Sequence, residues 1–263
     1  MTPNISLIQM DIHIKDVDYN FRQMEKLMIK AMNKHPDILV LPETWNTGFF
    51  TGSELSALSD PDGKRAKAFL STFAKEYHVN IVGGSVAETR HNKVYNTAYI
   101  FNRQGDCIAH YSKMHGFTPA KEDTFFTGGQ DISYFELDGM RCSMVICYDI
   151  RFPELVRMSA LQGIDILFVA SQWPTIRLRH WQILNAARAI ENQMYVCAVN
   201  GCGTIGRIQC AGHSLVIDPW GQNILEMNEV EGIGQAHIDL TVVQDIRQKI
   251  NVYQDRKPEL YHL

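Results

Sequence analysis

Short apolar runs alternate with amphipathic stretches along the whole of this chain, and that alternation confines it to a layered α/β fold. The runs at 37–41, 141–146 and 165–170 are too short for helices and too apolar to face water, so they are expected to be buried strands. Residues 16–32 have helical periodicity, with Phe21, Met24, Leu27, Met28 and Ala31 at spacings of three and four, and Asp16 or Asp18 placed to cap them. Helices are also expected over 63–77, 152–162, 175–192 and 241–249. Further strands are expected over 4–10, 79–86, 94–101, 107–111, 133–137, 195–200, 211–217 and 234–239. Asp138-Gly139 is a hairpin signal between two of them. Residues 113–130 read as one long irregular segment, and loops of that length are usually functional. Neither a linker nor a fixed-period repeat interrupts the pattern. One domain over 1–263 is therefore expected, with 244–263 as a C-terminal tail.

Bulk properties narrow the partners. Of 263 residues, 45% are hydrophobic and 21% charged, enough to build one large core. A formal net charge of −4 recommends neither nucleic acid nor an anionic membrane surface. The apolar runs are too short to span a bilayer, and the first ten residues lack the basic and apolar regions of a signal peptide. The six cysteines (Cys107, Cys142, Cys147, Cys197, Cys202 and Cys210) are scattered and form no C-x-x-C pair. Reduced thiols in a cytoplasmic setting are expected, with no zinc site, no other metal and no cofactor.

Three of the apolar runs end on groups that suit nucleophilic chemistry. Leu39-Val40-Leu41-Pro42-Glu43 ends on a carboxylate, Tyr111-Ser112-Lys113 on an ammonium, and Met144-Val145-Ile146-Cys147 on a thiol. Each has a plainer reading: a loop-capping carboxylate, a solvated lysine, an inert buried cysteine. A base, a cation and a thiol at three strand ends together suggest acyl transfer through a thioester.

The same segments, Leu41-Pro42-Glu43, Tyr111-Ser112-Lys113-Met114-His115 and Cys147-Tyr148-Asp149-Ile150-Arg151-Phe152-Pro153-Glu154, resemble the nitrilase superfamily of carbon–nitrogen hydrolases, in order and over essentially the whole chain. The resemblance implies a four-layer α-β-β-α sandwich and a homodimer joined through its outer helices, with the tail at the interface. It also implies Cys147 as nucleophile, Glu43 as general base, and Lys113 with the Tyr148 backbone N–H as oxyanion donors. Glu122, nine residues beyond Lys113, fits the family's second glutamate, with Asp123 as its rival. Finer features resemble bacterial ω-amidases, which cleave the distal amide of small 2-oxo acids: Glu43-Thr44-Trp45-Asn46-Thr47-Gly48, His115-Gly116-Phe117, and Gln172-Trp173-Pro174 with Arg177, His180 and Trp181. Gly116 departs from that pattern, where an apolar residue is expected, and suggests a looser loop around Lys113.

Arg177 reads equally as a forked donor for a substrate carboxylate and as an exposed helix arginine, with Trp173, His180 and Trp181 shaping the pocket. Phe117, Trp45 and Phe49 either line that pocket or pack in the core. Arg151 with Glu154, and Arg188 with Glu191, read as local ion pairs. Other acyl chemistries stay open: N-carbamoyl amine hydrolysis, aliphatic or deaminated-glutathione amide hydrolysis, and, further off, a non-catalytic binding protein on the same fold. A cysteine protease would need a histidine partner for the thiol, and none of the ten histidines sits in such a context.

Overall fold

Neighbouring side chains on a strand point to opposite faces, so a run that is apolar throughout must be covered on both sides. The computed structural model describes residues 2–49, 51–206 and 208–261, and in it these runs form two large sheets. The eight-stranded sheet runs Gly232–His237, Asn4–Gln9, Ile38–Val40, Asn80–Val82, Lys93–Phe101, Val86–Arg90 and Asp60–Pro61, with Cys107–Ser112 also paired to Lys93–Phe101. The six-stranded sheet runs Asn223–Glu226, Leu215–Ile217, Tyr195–Asn200, Ile166–Ser171, Met140–Ile146 and Tyr134–Leu137.

Alternate side chains sort into three cores. Ile5, Leu7 and Val40 from one sheet meet Met144, Ile166 and Phe168 from the other. On the first sheet's outer face, Leu39 and Ile81 pack with Met24 and Leu70 of the helices Val17–Met32 and Lys64–Tyr77. On the second sheet's outer face, Val145 and Leu167 pack with Val156 and Trp181 of the helices Pro153–Leu161 and Leu178–Asn192. The layers therefore run helix, sheet, sheet, helix, as the family resemblance implied. Asp16 caps the first helix, accepting from the Tyr19 N–H at 3.1 Å.

Parallel pairing places the site. Asn4–Gln9, Ile38–Val40 and Asn80–Val82 run parallel in one sheet, and Met140–Ile146, Ile166–Ser171 and Tyr195–Asn200 in the other. Parallel strands bring their carboxyl ends to one edge, where ligands usually bind in α/β sheets. Glu43 leaves the first sheet at that edge, and Cys147 and Gln172 leave the second.

The strand expected over 79–86 is in fact two, Asn80–Val82 and Val86–Arg90. Between them Gly84 adopts φ +60°, and a Cβ there would lie 2.1 Å from the Pro42 carbonyl oxygen. Only glycine lets the chain pass so close beneath the segment carrying Glu43. The Trp45 indole N–H donates to the Gly83 carbonyl at 2.9 Å, fixing that segment from the other side. The strand expected over 211–217 is shortened to Leu215–Ile217, because the Ala211 N–H turns away to the Trp173 carbonyl, 2.8 Å distant. The segment 113–130 holds a short helix, Glu122–Phe125. Arg188 and Glu191 pair as expected, at 2.7 Å.

The tail folds back at Tyr253, whose ring faces the guanidinium groups of Arg157 and Arg247 and whose hydroxyl donates to the Asn192 carbonyl. The last two residues of the expected tail, 262 and 263, lie outside the described residues. Among the described residues no helix is long and apolar enough to cross a membrane.

Candidate active site

Glu43 follows its strand through Leu41 and Pro42, and its side chain is fully buried where the two sheets meet. Three donors hold its carboxylate. Oε1 accepts from Lys113 Nζ at 2.8 Å and from Asn96 Nδ2 at 2.9 Å, and Oε2 accepts from the Gln172 backbone N–H at 2.9 Å. The Gln172 side-chain amide donates in turn to the Glu43 carbonyl at 2.7 Å. The carboxylate is thereby tied to both sheets.

Lys113 follows the strand Cys107–Ser112 and is 3% exposed. Besides Glu43 it reaches both oxygens of Glu122, at 2.8 and 2.9 Å. Burial pulls the pKa of this ammonium down, but Glu43 and then Glu122 outweigh burial and hold it above the ordinary lysine value. Lys113 therefore stays charged over the whole working pH range. Glu122 also accepts from the Phe117 N–H at 2.6 Å. Its pKa lies above the ordinary carboxylate value, raised by burial and by Glu43 against the pull of Lys113. Asp123, the rival, is exposed.

Gly116 does not loosen this loop. A Cβ there would lie 3.1 Å from the Asp123 backbone nitrogen, so its absence lets the loop pack tightly on the helix that carries Glu122. The looser loop expected from the sequence is thus replaced by a close contact.

Cys147 ends the strand Met140–Ile146 at φ +49°, a conformation unusual for a non-glycine residue, and opens the 3₁₀ turn Cys147–Arg151. The sharp turn presents the thiol, partly exposed, to a cavity of about 40 Å³ shared with Glu43. The thiol pKa is pushed above its ordinary value, first by desolvation and then by Glu43, with Lys113 and the neighbouring Ser171 hydroxyl opposing. The resting sulfur thus holds its proton, and a base beside it is needed to release the thiolate. Tyr148, the next residue, also lines the cavity. Its amide lies at the start of the turn, where amides lack a carbonyl partner within the turn.

The cavity is also lined by Phe49, Phe117, Trp173, Arg151 and Arg177. Arg177 lies over the Phe117 ring, 5.1 Å from its centroid, and Arg151 over the Trp173 ring, at 4.8 Å. The pKa of Arg151 is lowered, by burial and then by the like charge of Arg177. Among the described residues neither guanidinium forms an ion pair with a carboxylate. Two cations held together on aromatic faces make a site for an anion.

Several expectations are corrected here. Arg151 does not pair with Glu154: the turn after Cys147 swings it into the cavity instead. His180 is exposed and does not line the cavity, and its Nδ1 instead meets Arg151 Nη2 at 3.2 Å. Trp181 is fully buried in the outer core and donates to the His213 carbonyl. Trp45 packs edge-on against Phe21 in the core, whereas Phe49 reaches the cavity. Asn96 and Gln172 were not anticipated as partners of Glu43. A polar residue just past a buried strand, as in Ser171-Gln172-Trp173-Pro174, was the available signal for Gln172. Among the described residues no group of three histidine, cysteine or acidic side chains is placed to hold a metal ion.

Comparisons with known proteins identify the family. The family described as Carbon-nitrogen hydrolase matches residues 4–248. The chain is 43% identical, over 257 residues and 98% of each protein, to a 2-oxoglutaramate amidase of Bacillus subtilis (strain 168). It is 31% identical, over 98% of this chain and 95% of the relative, to an omega-amidase of Danio rerio. The fold is similar, at a TM-score of 0.90 and 27% identity over 98% of each chain, to a CN-hydrolase superfamily protein from Xanthomonas campestris solved with an arsenic adduct in its active site.

Replacing Lys113 with methionine would leave Glu43 and Glu122 buried and facing each other without a cation. Urea unfolding should report a loss of about 3–5 kcal/mol near neutral pH. The loss should shrink toward about pH 5: the carboxyl of Glu122, raised by burial and by Glu43, loses the lowering pull of Lys113 in the variant and rises further than in the native protein, so acid restores more stability to the variant. An equal loss at both pH values would contradict this reading of the charges.

Proposed function

This chain belongs to the carbon–nitrogen hydrolase family and is an amide-cleaving hydrolase, and on that premise we propose that it is an ω-amidase: it hydrolyses the distal amide of a small 2-oxo acid to ammonia and a dicarboxylate. The observation that carries the substrate reading is the couple Arg151 and Arg177, which among the described residues has no carboxylate partner, in the same cavity as Cys147. A substrate with a carboxylate at one end and an amide at the other spans that cavity with both ends recognised. The relatives named as 2-oxoglutaramate amidase and omega-amidase support the same choice.

In the proposed mechanism the carboxylate rests on the two guanidiniums and the amide carbonyl lies over Cys147. Glu43 takes the thiol proton as sulfur attacks the carbonyl carbon. The negative oxygen that forms is held by Lys113 Nζ and the Tyr148 N–H, donors fixed before the reaction begins. The C–N bond breaks as Glu43 delivers its proton to nitrogen, and ammonia leaves a thioester on Cys147. Glu43 then takes a proton from water, which attacks the thioester; the C–S bond breaks and Glu43 returns the proton to sulfur. Glu122 holds Lys113 in place throughout. The reaction uses no redox step, and its proton account closes on Glu43 alone.

The outer helices suit a homodimer. Met158 and Leu161 on one, and Ile183 and Ile190 on the other, are exposed apolar side chains on adjacent elements, the kind of surface that a second copy covers. The described part of the tail, residues 244–261, meets the same helical layer through Tyr253, within reach of that interface.

Ammonia release should be fast from 2-oxoglutaramate and 2-oxosuccinamate, slow from glutamine, asparagine and an N-carbamoyl amine, and absent with Cys147→Ala. Arg151→Ala and Arg177→Ala should each lower kcat/KM by roughly 10- to 100-fold on the oxo-amides, mostly through KM, the usual effect of one charge-assisted contact. Carbon dioxide from the carbamoyl compound, with the oxo-amides untouched, would overturn the substrate reading while keeping the nucleophile. Sedimentation should find a dimer that Ile183→Glu with Ile190→Glu converts to monomer, whereas a monomeric native protein would remove the dimer from the account.

A further inference from the structure

Among the described residues the mechanism above leaves the fully buried carboxylates Glu88 and Asp149 without a task, and Asp149 is the one beside the nucleophile. Asp149 lies two residues beyond Cys147 and is 0% exposed. A buried carboxylate is costly unless donors surround it, and four do so here. Oδ2 accepts from the Tyr111 hydroxyl at 2.7 Å and from the Ile146 N–H at 3.1 Å. Oδ1 accepts from the His115 N–H at 2.9 Å and faces His115 Nδ1 at 2.8 Å. The His115 ring is itself stacked on Phe152, with centroids 3.7 Å apart and planes 10° from parallel.

The identity of these partners matters more than their number. Tyr111 lies two residues before Lys113 and His115 two residues after it. Ile146 immediately precedes Cys147, and Asp149 follows it by two. One carboxylate therefore grips the chain on both sides of the ammonium and on both sides of the thiol. The bond to Ile146 also closes over Cys147, whose φ of +49° needs surrounding contacts to persist.

We infer that Asp149 is a positioning residue for the amidase reaction: it sets the distance between the oxyanion lysine and the nucleophile by joining the Tyr111–His115 segment to the turn that carries Cys147. This inference rests on the roles proposed above for Cys147 and Lys113. Asp149 touches neither substrate nor reacting atoms. Its effect is on geometry, to which catalysis is sharply sensitive: a misplacement of about 1 Å can cost roughly 100-fold in rate.

The test uses Asp149→Asn and Tyr111→Phe in the full-length enzyme. The asparagine keeps the shape but turns an NH₂ toward donors, and the phenylalanine removes one donor and leaves the carboxylate. For Asp149→Asn, kcat on the preferred amide should fall by roughly 100-fold while KM changes by less than about 3-fold. Tyr111→Phe should fall by roughly 5-fold in the same manner. Alkylation of Cys147 by iodoacetamide forms no oxyanion and should change by less than about 3-fold in both variants. A merely structural residue would lower turnover, alkylation and substrate affinity together, and that pattern would overturn the inference. Turnover within about 2-fold of native would also overturn it. If Asp149→Asn does not fold, Tyr111→Phe decides by the same criteria. Lys113→Ala and Cys147→Ala run alongside: activity surviving in either would sink the underlying mechanism instead, a separate failure.

Discussion

One ammonium between two carboxylates organises this molecule. Lys113 lies within 2.9 Å of oxygens on both Glu43 and Glu122, and all three residues are withdrawn from water. Removing three charges from solvent is expensive, and their mutual attraction offsets that cost only when the geometry is good and the spare oxygens find donors. The fold supplies both. Asn96 and Gln172 satisfy Glu43 from different sheets, and Phe117 satisfies Glu122. The site therefore cannot form until the two sheets have packed, and catalytic competence and tertiary structure arrive together.

The same arrangement explains how an unactivated amide can be attacked. Burial and Glu43 keep the Cys147 thiol protonated at rest, and in the proposed mechanism the reactive thiolate forms only as Glu43 takes the proton. Lys113 stays positive because both carboxylates hold it so, and in that mechanism it offers a fixed charge where the carbonyl oxygen becomes negative. In the same cavity Arg151 and Arg177 are held on aromatic faces, and among the described residues neither pairs with a carboxylate. In the proposed reading one small cavity thus serves both chemistry and recognition.

What could be read from the sequence follows from what each signal encodes. Strand and helix periodicity is local, so the layers and most elements were legible. The candidate residues Glu43, Lys113 and Cys147 stand at strand ends, where a pattern change marks them, and Glu122 came with the family resemblance. The break at Gly83-Gly84 was missed because it answers to Pro42, forty residues away, and not to its neighbours. Arg151 was misread as half of a local ion pair because the 3₁₀ turn after Cys147, not helical spacing, sets its direction. His180 and Trp181 were placed in the pocket on proximity to Arg177, but helix phase turns one outward and the other into the core. Asp149 carried no signal of its own: its role appears only when Tyr111, His115 and Ile146 converge on it in space.

The central claim is a covalent acyl-enzyme on Cys147, and its most direct test is partition of that intermediate between water and hydroxylamine. The enzyme would be given glutaramate, which lacks the oxo group that hydroxylamine converts to an oxime, or the monomethyl ester of glutarate, at one fixed hydroxylamine concentration, and the enzyme-dependent hydroxamate and free acid would be measured. A shared thioester requires the same hydroxamate-to-acid ratio from both donors, whatever their relative rates, and that equality is the expected result. Ratios that depend on the leaving group would contradict the thioester and with it the roles given to Glu43, Lys113 and Cys147.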